Sequence, residues 1–81
     1  MYLVIDSVLF DNPYDILKQY TWINDFYPDI VTINHQKHVV IYLQDFDMLY
    51  DVLSYTDDED ISVQANSNWH KNFLTLIIYD N

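Results

Sequence analysis

The 81-residue chain carries 13 aspartate or glutamate residues against three lysines and no arginine, which gives it a net charge of -10 at pH 7. Nucleic acids and anionic membranes are bound through cationic side chains, so this balance argues against direct binding to either. Hydrophobic residues nevertheless make up 51% of the chain, which suffices for a core, and the length fits one domain, residues 1–81.

Besides arginine, the chain lacks cysteine and glycine, and each of these two absences excludes certain kinds of functional site. Without cysteine there are no disulfides, thiolate nucleophiles or cysteine-type zinc sites. Without glycine, the phosphate-binding, dinucleotide-binding and calcium-binding loops that need it cannot form. No serine stands in a pattern with histidine and aspartate that marks a nucleophile. We therefore predict that the protein is not an enzyme and has no catalytic residues, metal site or cofactor.

The first ten residues indicate neither a targeting signal nor a membrane span. The segment Met1–Phe10 contains no basic residue, and Asp6 interrupts its apolar run. A cytoplasmic location is therefore expected.

In chain order, the first predicted elements are a strand and a helix. Large apolar and β-branched residues predict a strand over Tyr2–Phe10. Asn12 is a favourable N-cap and Pro13 suits the first helical position, so a helix is predicted from Pro13 to about Asn24. Its apolar residues fall on one face. They are Ile16, Leu17, Tyr20 and Ile23.

A hairpin is predicted next. Tyr27-Pro28-Asp29 ends the helix, because proline lacks an amide donor. Strands are then predicted over Ile30–Asn34 and His38–Gln44, joined by His35-Gln36-Lys37. A turn that needs positive φ would use Asn34 in the absence of glycine.

The second half of the chain predicts one helix and two strands. Asp45 is the expected N-cap of a helix that ends near Tyr55 or Thr56. Its predicted apolar face consists of Phe46, Leu49, Val52 and Leu53. Alternating Ile61, Val63 and Ala65 predict a strand, Asn66-Ser67-Asn68 a turn and Asn72–Tyr79 a final strand.

The resulting order, β-α-β-β-α-β-β, predicts an α+β domain. Its strands are mostly linked by short connections, which favours a mostly antiparallel sheet of about five strands with both helices on one face.

The four consecutive acids Asp57, Asp58, Glu59 and Asp60 are the first candidate site. They follow the negative end of the second helix dipole with no cation nearby in sequence, which is unfavourable locally. A segment that breaks a local rule without compensation is often functional, so we predict that it contacts a partner. The alternatives are a solvated loop and a calcium site, although the ligand spacing and the missing glycine disfavour calcium.

Asp47 and Asp51 extend this candidate site along the second helix. Asp47, Asp51 and Ser54 follow one another at intervals of about one helical turn, on a side away from the apolar face. Four residues of helix rise about 6 Å. That separation is comparable with the phosphate spacing of a nucleic-acid strand. The alternative is an ordinary solvated helix face.

Histidines and aromatic residues provide weaker candidates. His35 and His38 bracket the hairpin turn, but no third ligand follows at a motif spacing, so a surface turn is favoured over a metal pair. Eight tyrosines and two tryptophans are many for this length, and aromatic residues anchor protein interfaces. Trp22, Tyr14, Tyr27 and Trp69 lie off the apolar faces or near element ends; each fits a partly buried core position, and one or two fit an interface.

The small size, the lack of cysteine, the run Asp57-Asp58-Glu59-Asp60 and the net charge together resemble phage-encoded DNA-mimic inhibitors, a class that includes uracil-DNA glycosylase inhibitors, anti-restriction proteins and anti-CRISPR proteins. This resemblance implies a protein that covers the DNA groove of a basic nucleic-acid-binding protein, such as a CRISPR effector or a restriction nuclease. We expect a monomer or a simple dimer. Two other interpretations stay open: an immunity protein or antitoxin that neutralises a toxin, and a structural or self-assembling phage module.

Overall fold

The computed structural model describes residues 1–65 and 73–80. The elements are β1 (Tyr2–Asp6), α1 (Pro13–Gln19), a 3₁₀ helix (Thr21–Phe26), β2 (Asp29–Ile33), β3 (Gln36–Tyr42), α2 (Phe46–Leu53), β4 (Ile61–Ala65) and β5 (Leu74–Tyr79). This order confirms the predicted α+β fold. The predicted turn at Asn66-Ser67-Asn68, the start of the last strand at Asn72, and Trp69 lie outside the described residues.

The five strands form one sheet in the order β2-β3-β1-β5-β4. The central strand β1 is antiparallel to both of its neighbours, β3 and β5, and β2 is antiparallel to β3. The edge strand β4 is parallel to β5, in a register that pairs Ile61 with Leu74. Three of the four pairings are antiparallel, so the prediction of a mostly antiparallel sheet is confirmed.

Strand β1 is shorter than predicted, because the chain turns directly after Asp6. The Asp6 carboxylate accepts a hydrogen bond from the Ser7 amide (2.8 Å), and the Ser7 hydroxyl accepts one from the Leu9 amide (3.1 Å). The same hydroxyl donates to the Phe73 carbonyl next to β5. Side-chain bonds to the local backbone compete with strand pairing. The apolar residues Val8 and Leu9 are therefore exposed in a loop.

The first predicted helix is divided in two. Its start is confirmed, since the Asn12 side chain accepts a hydrogen bond from the Tyr14 amide (3.0 Å) and Pro13 is the first helical residue. The predicted continuation to Asn24 is wrong, because Tyr20 leaves the helical region at φ -112° and ψ 71°. The tighter 3₁₀ helix follows, and the Asn24 amide group holds it to α1 by donating to the Leu17 carbonyl (3.3 Å).

The hairpin between β2 and β3 is tighter than predicted. Its two central residues are Asn34 and His35, both with positive φ (50° and 68°). Two such residues are typical of a type I′ turn, whose twist matches that of paired strands. Asn34 thus adopts the positive φ expected of it, whereas Gln36 and Lys37 belong to β3 rather than to the connection.

The helices cover one face of the sheet and form the core with it. Side chains alternate between faces along each strand, so Leu3 and Ile5 of β1 point to the same side. They pack there against residues of α1, the 3₁₀ helix and α2. The buried cluster comprises Leu3, Ile5, Ile16, Ile23, Val39, Ile41, Leu43, Leu49, Val52, Leu74 and Leu76. The prediction of two helices on one face is confirmed.

Substitution of His35 by glycine is expected to raise the free energy of unfolding by about 0.5–1 kcal/mol, because glycine adopts positive φ without a steric cost and Asn-Gly is the favoured type I′ pair. Gln36→Gly is the matched control, since Gln36 is an exposed residue of a regular strand and glycine there should destabilise the fold. Urea unfolding measures both changes. A His35→Gly variant as destabilised as Gln36→Gly would contradict the turn assignment.

Candidate functional site

Helix α2 begins at an aspartate and leaves one long side to solvent. The Asp45 carboxylate accepts a hydrogen bond from the Met48 amide (2.9 Å), which confirms the predicted N-cap. Leu49 and Val52 are buried in the core, and Met48 packs against it. At about 100° per residue, the outward side opposite these residues carries Asp47 and Tyr50.

Phe46 was predicted on the apolar face of this helix, and that prediction is wrong. Its side chain is 62% exposed. The side of α2 that enters the core is centred on Met48, Leu49 and Val52, and Phe46 lies about 110° around the helix from that centre. Phe46 and Tyr50, one turn apart and both exposed, therefore form an aromatic row. The row runs beside Asp47 and Asp51.

The predicted acids of α2 and the run after it are all exposed. We call this set the acidic ridge: Asp47, Asp51, Asp57, Asp58, Glu59 and Asp60. The first two lie on α2, and the other four lie between α2 and β4. The structure thus places them along one helix and the segment that continues it.

Hydrogen bonds fix the path of the backbone between α2 and the acidic run. The Ser54 hydroxyl donates to the Asp51 carbonyl (2.6 Å), and the Thr56 hydroxyl donates to the Leu53 carbonyl (2.8 Å). The Asp58 amide then donates to the Thr56 carbonyl (2.9 Å). These bonds extend the turn structure of the helix end toward the acids.

Asp58 and Asp60 anchor the run to the sheet. One oxygen of the Asp58 carboxylate accepts a hydrogen bond from the Asp60 amide (2.9 Å), and the Asp58 carbonyl accepts one from the Ile61 amide (3.0 Å). The Asp60 carbonyl in turn accepts from the Leu74 amide of β5 (3.1 Å). The Asp58 carboxylate is therefore held by a local turn rather than left to rotate.

Three aromatic rings pack together, and one of them, Tyr55, belongs to the segment between α2 and the acidic run. The rings of Trp22 and Tyr55 are stacked, with centroids 5.1 Å apart and planes at 4°, and Phe26 packs edge-on against both. This cluster joins the 3₁₀ helix to the segment just after α2. Trp22 is therefore partly buried, which agrees with the predicted partial core position. Tyr14 and Tyr27 are exposed.

The acidic run acts electrostatically on a neighbouring tyrosine. Burial raises the pKa of the Tyr20 hydroxyl above its ordinary value of 10.0, and the charges of Asp60 and Asp58 raise this pKa further. Both effects disfavour the phenolate. Asp58 and Asp60 therefore act on Tyr20, which stands between α1 and the 3₁₀ helix. A separate ion pair lies on α1 itself, where the Lys18 ammonium nitrogen is 4.0 Å from the Asp15 carboxylate.

In the described part of the chain, His35 and His38 do not form a metal pair with a third ligand. Within residues 1–65 and 73–80, no group of three histidine, cysteine, aspartate or glutamate side chains is arranged to hold a metal ion. His35 is exposed in the turn, whereas His38 is buried on β3. His38 lines a cleft of about 260 Å³ together with Asp6, Asp11 and Lys37.

Sequence reasoning missed a second surface, on the side of the sheet opposite the helices. Tyr2 of β1 lies there between Tyr42 of β3 and Tyr79 of β5, with which it is paired in register. The signal was present in the sequence, because both alternating sets of residues in β1 and β5 are apolar except for Asp6 and Thr75. A strand of that kind is typically covered on both faces.

In the part of the chain that the structure describes, no helix has the length and apolar character needed to cross a membrane. Comparison of the chain with models of known families, with curated proteins and with solved structures gave no match.

Neutralising Asp60 is expected to lower the pKa of Tyr20, because one of the two carboxylates that disfavour the phenolate is removed. In Asp60→Asn the backbone groups that bond to Asp58 and Leu74 are kept, so the turn should persist. NMR titration of ring-labelled tyrosine measures the pKa. Most of the elevation should remain, since burial is its main cause. Asp25→Asn is the control, and an equal change in both variants would contradict the placement.

The same elevation predicts how stability changes with pH. The folded protein favours the neutral phenol, so the contribution of Tyr20 is complete below about pH 10 and is lost as the pH rises through the folded-state pKa. Tyr20→Phe should therefore flatten the decline in the free energy of unfolding above pH 10. A decline as steep as that of wild type would count against the shift.

Proposed function

We propose that the protein is an inhibitor that binds the basic nucleic-acid-binding surface of a nuclease or another DNA-processing enzyme. In this interpretation its carboxylates take the place of phosphates, in the manner of anti-CRISPR and anti-restriction proteins. The proposal includes a cytoplasmic location, a protein partner and no catalytic activity of its own.

The observation that carries the proposal is the exposure of all six acids of the acidic ridge, with the Asp58 carboxylate held by a hydrogen bond. Six acids that repel one another lie along α2 and the following segment, and Asp58 is fixed by its bond to the Asp60 amide. Fixed charges lose little conformational entropy on binding, and opposed potentials accelerate association. If the acids served solubility alone, they would not need to lie along one helix or to be held by a hydrogen bond, because a smaller net charge keeps a small domain soluble.

The aromatic row of Phe46 and Tyr50 adds to the same surface. Phe46 is 62% exposed and Tyr50 is 64% exposed, and both lie beside Asp47 and Asp51. Aromatic residues are frequent hot spots in interfaces, and arginine is frequent among their partners. The proposed contact surface therefore combines carboxylates for cationic side chains with two rings on which guanidinium groups can stack.

The charge-reversal test uses Asp57→Lys, Glu59→Lys and Asp60→Lys, together with Asp58→Asn, which keeps an oxygen that can accept from the Asp60 amide. Three reversals and one neutralisation change the net charge by seven units, from -10 to -3. We expect partner affinity to fall at least 100-fold, because like charges then meet across the interface at a cost of several kcal/mol. Stability should stay within about 1 kcal/mol, since cations near a helix C-terminus are favourable.

A second variant separates position from net charge. Asp11→Lys, Asp25→Lys, Asp29→Lys and Asp80→Asn make the same seven-unit change at exposed acids outside the ridge. This control should retain most of the affinity. Equal losses of affinity in the two variants would show that only net charge matters. If the first variant bound the partner as tightly as wild type, the acidic run would be only a solvated loop.

The partner itself can be identified by capture from bacterial lysates at low and high salt, with wild type and both variants as bait. The expected partner binds wild type and the control variant, is released by high salt, and loses its DNA when the protein is added. A mobility shift of DNA by the protein alone would contradict the proposal. Capture of a toxin without a nucleic-acid site would favour an immunity protein instead.

A further inference from the structure

Strand β2 forms one edge of the sheet, and the turn that follows it determines which of its backbone groups point outward. Ile33 and Gln36 flank this two-residue turn and are paired in register. In a type I′ hairpin, such a pair exchanges both of its backbone hydrogen bonds. Bonded and non-bonded pairs alternate along an antiparallel ladder, so the amide and carbonyl groups of Ile30 and Thr32 point away from β3.

The outer edge of β2 is not blocked by its own sequence. Among the described residues, none bonds to the outward backbone groups of Ile30 and Thr32. Lysine, proline or a bulge in an edge strand normally prevents a further strand from pairing there. β2 (Asp29–Ile33) contains neither of these residue types, and its register with β3 runs without a bulge. Four of its five residues are β-branched, which suits a paired strand.

The side chains of β2 determine what an added strand must carry. Asp29, Val31 and Ile33 point to the face of the sheet opposite the helices, since side chains alternate along a strand. Val31 and Ile33 form one wall of an apolar groove of about 420 Å³, which Val40 and Tyr42 of β3 also line. On this face, an added strand therefore needs two apolar side chains beside the wall and a cationic side chain beside Asp29.

We propose that the β2 edge binds an extended segment of a basic protein as a sixth, antiparallel strand. From its amino end, the segment has an apolar residue opposite Ile33, a second opposite Val31, and a lysine or arginine opposite Asp29, with one residue between each. Hydrogen bonds to the backbone of Ile30 and Thr32 provide the affinity, and the alternate side chains provide the specificity. The net charge of -10 favours such a cationic segment over an acidic one.

A second copy of this chain fits the same edge poorly. When two β2 strands pair antiparallel over their full length, Asp29 of one copy lies opposite Ile33 of the other. Each carboxylate then meets an apolar side chain in place of a cation. Each copy also brings a net charge of -10, so the two copies repel each other. A basic segment is therefore the better occupant.

The test needs no partner of the acidic ridge, because the probe is the peptide acetyl-Val-Thr-Phe-Thr-Lys-amide. Its two threonines lie opposite Thr32 and Ile30, and its lysine lies opposite Asp29. We expect a dissociation constant of about 1 mM or lower. At about 5 mM peptide, amide hydrogen exchange measured by NMR should slow at least threefold at Ile30 and Thr32. The amides of Val31 and Ile33, already bonded to β3, should change less.

Two methylated peptides separate strand pairing from attraction of charge. N-methylation of both threonines removes the two donors that face β2, and this peptide should bind at least tenfold more weakly. N-methylation of the valine and the phenylalanine adds the same two methyl groups on the outward side, and this peptide should bind within about threefold of the parent. Equal affinities of the two methylated peptides would show that no strand is added.

A variant of the protein tests the same bond from the other side. Thr32→Pro removes an amide that points away from β3, and proline is tolerated in an edge strand at such a position. It should weaken peptide binding at least tenfold. Thr32→Val keeps the amide, suits a strand and should stay within about twofold of wild type. Thermal melts show whether the proline variant folds, and the methylated peptides decide if it does not.

Three results would overturn the proposal. The first is unchanged amide exchange at Ile30 and Thr32 in the presence of the peptide. The second is equal binding of the two methylated peptides. The third comes from sedimentation equilibrium of the protein alone: a dimer that Thr32→Pro abolishes and Thr32→Val preserves would make a second copy the occupant of the edge.

Discussion

The central strand β1 determines how the rest of the molecule is arranged. It is paired on both sides and lies in the middle of the sheet, and its alternate residues supply two different apolar faces. Leu3 and Ile5 point into the helical core, whereas Tyr2 and Val4 point to the opposite face of the sheet. Because β1 and its neighbours take the apolar residues, most acids are left to helix surfaces, loops and strand ends.

This sorting gives charge and apolar surface to opposite layers. Helix α2 can bury Leu49 and Val52 and still present Asp47 and Asp51 to solvent, since the two pairs lie on different sides of one helix. The acidic run takes no apolar side chain from the core to hold it in place, because backbone groups and the Asp58 carboxylate make its hydrogen bonds. In our account the helical layer meets a cationic partner.

Much of this fold could be predicted from the sequence, because its signals are local. Asn12 and Asp45 cap the two helices where expected. Asn34 adopts the positive φ that glycine adopts in many turns and that this chain, which has no glycine, must obtain from another residue. The errors arise from tertiary context. The end of β1 depends on bonds made by Ser7, including one to Phe73 far along the chain. The parallel pairing of β4 with β5 could not be read from two strands joined by a short connection, which favours a hairpin.

The candidate site was predictable as residues but not as a surface. Exposure of the acidic run follows from its composition, whereas the stacking of Trp22 on Tyr55 depends on the packing of the 3₁₀ helix against the segment after α2. Relaxation of amide protons by a neutral and by a cationic paramagnetic probe tests the charge sorting most directly. The account predicts that the ratio of cationic to neutral relaxation is largest at Asp47, Asp51 and Asp58–Asp60 and smallest at Val31, Ile33 and Tyr42. A ratio that is uniform over the two layers would contradict it.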